Sequence, residues 1–136
     1  MRPLPPRFVQ WFAARGWQVH PHQQALLDRA DAPATLLVAP TGGGKTLAGF
    51  LPSLVELAAG DRPGLHTLYI SPLKALAADV RRNLTRPVEE MGLPVRIEDR
   101  TGDTSYTKRR RQRADPPHIF ITTPESLALL LSYEDA

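Results

Sequence analysis

The stretch Leu36-Leu37-Val38-Ala39-Pro40-Thr41-Gly42-Gly43-Gly44-Lys45-Thr46 decides the fold: an apolar run stops at three glycines and restarts as a helix-forming segment. Strand, turn and helix in that order bring successive backbone N–H groups and a helix N-terminus to one point. There a polyphosphate gains hydrogen bonds and a favourable dipole. Lys45 is spaced to reach the β- and γ-phosphates, and the Thr46 hydroxyl to ligate Mg²⁺. Gly42, Gly43 and Gly44 carry no Cβ to hold the phosphates away. Thr41 to Thr46 is therefore the predicted nucleotide-binding loop, with Lys45 and Thr46 as its catalytic candidates. The pattern G-x-x-x-x-G-K-[ST] fails only at its first position, where Ala39 stands.

The segments around the loop set the fold class. Thr35 to Ala39 reads as a first strand, apolar throughout as a strand buried on both faces should be. After the loop, Leu47, Phe50, Leu51, Leu54 and Leu57 recur at helical spacing, with Pro52 expected to kink the helix. Gly60 to Gly64 is a loop, and Thr67 to Ile70 the second strand. Ser71-Pro72-Leu73-Lys74 leads into a helix with Leu76, Val80 and Leu84 on one face, a break expected at Pro87 and a stop at Gly92. Val95 to Asp99 forms a third strand that runs into Arg100-Thr101-Gly102-Asp103-Thr104. His118 to Thr122 is the fourth. Thr123 then serves as N-cap, Pro124 as first helical residue and Glu125 as a carboxylate at the positive end of the dipole. Strands each followed by a helix predict an α/β fold, a parallel sheet with helices on both faces.

Upstream, Phe8, Trp11 and Phe12 fall at helical spacing with Gly16 ending the segment, which fits a packed core face better than an adenine-stacking surface. A second helix starts at Pro21, with Leu26, Leu27 and Ala30 inward. Gln23 lies near its start, and its amide offers the donor and acceptor that the N6 and N7 edge of adenine requires.

A chain of 136 residues with 42% hydrophobic content suits one soluble domain of ordinary core size. No apolar run spans a bilayer and the amino terminus lacks a signal-peptide core, so a cytoplasmic protein without a membrane partner is expected. The absence of cysteine excludes a disulfide scaffold, a thiolate metal site and a Cys nucleophile. A net charge of +3 permits nucleic acid without requiring it. The run Lys108 to Arg113 gathers five cations into six positions. With no aromatic inside it and Asp115-Pro116-Pro117 closing it, it reads as a solvated helix face rather than a phosphate-contacting stripe.

Taken in order, Gln23, Ala39 to Thr46, Ser71 to Leu76, Arg100 to Thr104 and Thr122 to Leu127 resemble the motifs of superfamily 2 DEAD/DEAH-box helicases. The wording is most similar to the large helicase-related (Lhr) family, in particular its ligase-associated DEXH-box members. The resemblance implies a P-loop NTPase (RecA-like) sheet: helices and Q motif in residues 1–34, and part of the first motor domain in 35–136. It implies an ATP-driven motor on single-stranded or partly duplex DNA, with RNA as the alternative strand, working in DNA repair beside a ligase or nuclease. By the same resemblance Gln23 takes the adenine-reading role. Pro72, Lys74, Thr101, Gly102, Thr123, Pro124 and Glu125 fall on motifs that contact the nucleic acid, largely at phosphate and sugar.

One departure carries weight. The family's Asp-Glu-x-His box does not occur before Ala136, and Glu134-Asp135 has the reverse order and follows no strand. The expectation is an amino-terminal piece of a longer helicase, inactive as an ATP hydrolase by itself. Two other classes stay open: a P-loop enzyme such as a small-molecule kinase, which has no need of the Ser-Pro-Leu-Lys and Thr-Pro-Glu elements, and a non-catalytic nucleotide- or nucleic-acid-binding module.

Overall fold

The computed structural model describes residues 2–38, 45–60 and 63–133. Helix α1 (Pro6–Ala14) and α2 (Pro21–Asp28) precede α3 (Lys45–Ala58). Then come β1 (Thr67–Ile70), α4 (Lys74–Met91), β2 (Ile97–Arg100), α5 (Tyr106–Ala114), β3 (Ile119–Thr122) and α6 (Pro124–Leu131). The three strands form one parallel sheet in the order β1-β3-β2. Ile70 and Arg100 both stand in register with Thr122, so all three strands end at one level.

The last strand in sequence is the middle one in space, and its composition explains why. Ile119-Phe120-Ile121-Thr122 is buried at every position, whereas β1 alternates between half-buried and exposed. Only a strand apolar on both sides can take the site covered on both faces. α4 packs on β2 and β3 through Ala77, Val80, Leu84 and Val88, and α3 contributes Phe50, Leu51, Leu54 and Leu57 to the same core, where Phe8 of α1 joins them. Each Val, Leu or Phe among these contributes roughly 1.5–3 kcal/mol by leaving water.

Four expectations are corrected. Thr35 to Val38 forms no strand, Leu36 and Val38 are 87% and 85% exposed, and Ala39 lies outside the described residues. An apolar run becomes a strand only where a ladder partner exists, and among the described residues β1, β2 and β3 pair only with one another. Pro87 does not break α4, which runs for 18 residues to Gly92. Its ring is buried with Leu84 and Val88, and the helical hydrogen bond it forfeits falls on Asn83, an exposed residue. Leu76 is 46% exposed, because Ala77, one residue on, starts the buried stripe that continues through Val80, Leu84 and Val88. Ala30 lies past the end of α2 and is exposed, leaving Leu27 as the buried apolar residue of that helix. The two later strands also start later than expected, at Ile97 and Ile119.

The stop at Gly92 is as expected. Its φ of 65° is left-handed, and Gly92 and Leu93 return their N–H groups to Glu89 and Val88.

A polar network ties α5 to the sheet. Arg111 donates to both oxygens of Glu98 at 2.6 and 3.2 Å, Arg96 donates to it at 3.0 Å, and the buried Gln112 at 3.2 Å. Burial alone would push the Glu98 carboxyl up, but the hydrogen bonds from Arg111, Arg96 and Gln112 outweigh it and hold the group at about 2. A carboxyl whose folded value lies below its unfolded value stabilises the fold at pH above the unfolded value of 4.5 and loses that contribution as pH falls toward 2. The unfolding free energy from urea titrations between pH 6 and pH 3 should therefore fall in the wild type by up to about 2 kcal/mol from this group. Glu98→Gln should start lower and show a shallower fall. An equal fall in both proteins assigns the acid sensitivity elsewhere.

Candidate nucleotide groove and nucleic-acid edge

Because the strands end level, the three turns that follow them leave from one edge of the sheet. Ser71 follows β1, is buried, and donates its N–H to the Thr122 carbonyl at 2.9 Å, while its Oγ accepts Leu73 N–H at 3.4 Å. Thr101 follows β2. Its N–H reaches Thr104 Oγ1 at 2.9 Å, its Oγ1 accepts Asp103 N–H at 3.2 Å, and its carbonyl accepts Arg109 Nη2 at 2.7 Å. Thr123 follows β3 and caps α6, its hydroxyl accepting Ser126 N–H at 3.3 Å.

The predicted nucleic-acid residues divide by exposure. Pro72, Lys74, Gly102, Pro124 and Glu125 are exposed on this edge, whereas Thr101 and Thr123 are 6% and 5% exposed with their hydroxyls engaged in shaping the turns. A Cβ added at Gly102 would meet open space, so the fold itself does not require glycine there. Lys74 Nζ lies 3.0 Å from Asp103 Oδ2, which joins the first two turns. Beneath them Arg100 is 1% exposed, and its Nε and Nη1 have no hydrogen-bond partner among the described residues. Burial and then the nearby Arg109 guanidinium weaken its hold on its proton, although an arginine remains charged.

Arg110, Arg111 and Arg113 of α5 are exposed, as a solvated face should be, although four of the five cations in the run have partners. Arg111 is held by Glu98, Arg109 by the Thr101 carbonyl, Lys108 lies 3.7 Å from Asp99, and Arg113 stacks over the Tyr133 ring at 3.9 Å.

A second feature is a groove of about 1020 Å³ between α1, the start of α2, the start of α3 and α4. Gln23 and Thr46, 23 positions apart in sequence, both line it. Gln23 is 2% exposed, and its carbonyl oxygen accepts His20 N–H at 2.8 Å in a capping box for α2. Thr46 is exposed in the first turn of α3. Thr41, Gly42, Gly43 and Gly44, and the Lys45 side chain, lie outside the described residues. Groove residues that the sequence reading passed over are Trp17, Arg82 and Arg86. Trp17 is 51% exposed, meets Trp11 edge-on at 5.6 Å and carries the Arg15 guanidinium 4.9 Å from its ring. It follows a turn at Gly16, where no periodicity marks it.

The exposed Thr46 hydroxyl is the one oxygen-bearing side chain of the predicted loop that the structure describes at this groove, and a hydroxyl oxygen is of the hard donor class that Mg²⁺ takes. No cluster of three or more His, Cys, Asp or Glu residues able to hold a metal occurs among the described residues. No described helix is long and apolar enough to cross a membrane.

Residues 20–136 match the family model of the DEAD/DEAH box helicases. The chain belongs to that family. The Lhr helicase/probable uracil glycosylase of Mycolicibacterium smegmatis is 50% identical over 111 residues, 72% of this chain and 7% of that protein. An ATP-dependent helicase Lhr-Core protein 2 of Thermococcus barophilus is 40% identical over 139 residues, 90% of this chain and 16% of that protein. The solved structure of Mycobacterium smegmatis helicase Lhr bound to ssDNA and AMP-PNP superimposes with a TM-score of 0.81 and 42% identity, covering 96% of this chain and 18% of that one. The parallel sheet is thus that of a RecA-like helicase motor domain, and the chain spans a sixth or less of these two relatives' length.

Proposed function

We propose that this chain is the ATP-binding part of a DNA-repair helicase or translocase, taking Mg-ATP at Thr41 to Thr46 with Gln23 at the base, and single-stranded DNA along the edge formed by Pro72, Lys74, Thr101, Gly102 and Thr123 to Glu125. The observation that carries the reading is the shared level at which β1, β2 and β3 end, which sets three motif turns side by side. Ligands of open α/β sheets gather at this carboxyl edge. A row of exposed lysine, glycine and proline there suits contact with phosphate and sugar, independent of sequence. The solved structure of Mycobacterium smegmatis helicase Lhr bound to ssDNA and AMP-PNP, 42% identical to this chain, supports the ATP assignment.

Each residue has a physical task. Gln23, fixed by its bond to His20, presents a rigid amide edge; Thr46 offers an oxygen at a helix N-terminus; Lys45 contributes a cation beside the phosphates. Bound Mg²⁺ would neutralise phosphate charge. Gly102 lets a backbone phosphate approach the Thr101 turn. The same reading makes the 136 residues, taken alone, a binding part without hydrolysis.

The test is anisotropy of a fluorescent single-stranded oligonucleotide, titrated with this chain at several salt concentrations. Lys74→Ala should weaken binding and flatten the slope of log K against log salt by about one unit. Gly102→Ala, which the fold has room for, should leave the unfolding midpoint in place and weaken binding too. Charge reversals within Lys108 to Arg113 should matter less than Lys74→Ala, and a larger loss from that run moves the binding surface to α5.

A further inference from the structure

We infer that Asp103 acts as a built-in competitor for the nucleic-acid phosphate, occupying the Lys74 ammonium in the free protein and so lowering the affinity of this edge. The inference rests on the reading of Lys74 as a nucleic-acid contact.

Three observations converge on Asp103. The first is geometry: the carboxylate and the ammonium come from different turns, yet meet at 3.0 Å. The second is rigidity. Thr101 and Thr104 bond each other through both backbone and side chain, Asp103 N–H is held by Thr101 Oγ1, and Arg109 clamps the Thr101 carbonyl. The Asp103 backbone is thereby fixed beside Lys74 and does not depend on a chance loop conformation. The third is electrostatic. Lys74 is the first residue of α4, at the positive end of a helix with no acidic residue in its first turn, so its ammonium sits where the helix dipole disfavours a cation. Asp103 supplies from a neighbouring turn the negative charge that α4 lacks.

A phosphate diester and a carboxylate present the same chemistry to an ammonium, a pair of anionic oxygens at hydrogen-bonding distance. The ammonium has three N–H donors but one charge, and a carboxylate and a phosphate gathered around that one charge repel each other, so the two compete. The pair is open to solvent, with the two side chains 63% and 74% exposed, and exposed pairs are weak. A polyanionic strand with several simultaneous contacts therefore displaces Asp103, while a single phosphate or a short oligonucleotide competes poorly. Asp103 would thus act as a threshold, favouring strands long enough to engage the neighbouring turns as well.

Asp103→Asn keeps the shape and removes the charge, and Asp103→Ser is a second variant that also shortens the side chain. In the anisotropy titration both should tighten single-stranded DNA binding about two- to fivefold at low salt, the range of an exposed ion pair. The gain should shrink as salt rises and screens the pair. In the Lys74→Ala background it should fall to near unity. An equal gain with and without Lys74 means general repulsion instead of competition and overturns the inference; so does binding that is unchanged or weaker in both Asp103 variants. If Lys74→Ala binds as the wild type does, the assignment of Lys74 fails and the inference fails with it. If Lys74→Ala weakens binding while Asp103→Asn does not tighten it, only the inference fails.

Discussion

Lys45→Ala should abolish Mg-ATP binding by this chain, an effect that titration calorimetry reads directly. On the proposed reading, a polyphosphate at Thr41 to Thr46 would meet two kinds of attraction: backbone N–H groups ahead of α3, and the single positive charge of Lys45. The backbone part survives the substitution, but the ammonium is the only fixed cation in the loop, and a hydrogen bond to a charged group contributes roughly 1.5–3 kcal/mol. That is a loss of about ten- to a hundredfold or more. Wild-type binding is expected to be weak already, because the described residues provide no acidic cluster to hold the metal from its other side. Starting weak, the variant drops out of the measurable range. Arg110→Ala is the control for net charge, since Arg110 is exposed on α5, and it should bind as the wild type does. Equal affinity in wild type and Lys45→Ala removes the nucleotide assignment from this loop.

The sequence made visible those features whose signals are local. β1 was placed at its observed bounds because an apolar run lies between a glycine loop and a Ser-Pro turn, and α6 because Thr123, Pro124 and Glu125 each satisfy a separate requirement of a helix start. The inward face of α3 followed from spacing alone, and the helix runs on through Pro52. What stayed hidden depends on partners distant in sequence. Thr35 to Val38 has the composition of a buried strand, but composition says nothing about whether a neighbour is present to pair with it. Pro87 reads as a break because a lost hydrogen bond is a local penalty, while the compensating burial of its ring comes from the core.

The candidate site divides in the same way. The three motif turns were each legible, yet their common level comes from the register Ile70 and Arg100 share with Thr122, and the Lys74–Asp103 pair follows from that register. Gln23 was singled out for adenine, and its bond to His20 adds a structural task that the single residue did not reveal. Trp17 comes from the loop after α1 and Arg82 and Arg86 from successive turns of α4, and only folding brings them into the groove that Thr46 lines.

ATP turnover by the isolated 136-residue chain should not rise above background, with or without single-stranded DNA. Phosphoryl transfer is catalysed by position and charge: a water held in line, a carboxylate that orients it, and cations around the γ-phosphate as charge develops. Lys45 and Thr46 meet only the last of these needs, and only from the loop side. An Asp-Glu-x-His sequence is not among these residues, and the reversed pair Glu134-Asp135 lies outside the described structure. Arg100 does not substitute for a cation on the γ-phosphate, because it is sealed beneath the Thr101 turn at 1% exposure. An arginine finger alone is worth roughly 10³–10⁵ in rate where one is used, and the absence of an orienting carboxylate compounds that loss. Steady-state phosphate release with saturating oligonucleotide is the measurement, with Lys45→Ala as the reference for contaminating hydrolysis. DNA-stimulated release that disappears in Lys45→Ala would mean that residues within this chain position the water, with Glu125 on the carboxyl edge of the sheet the first to substitute.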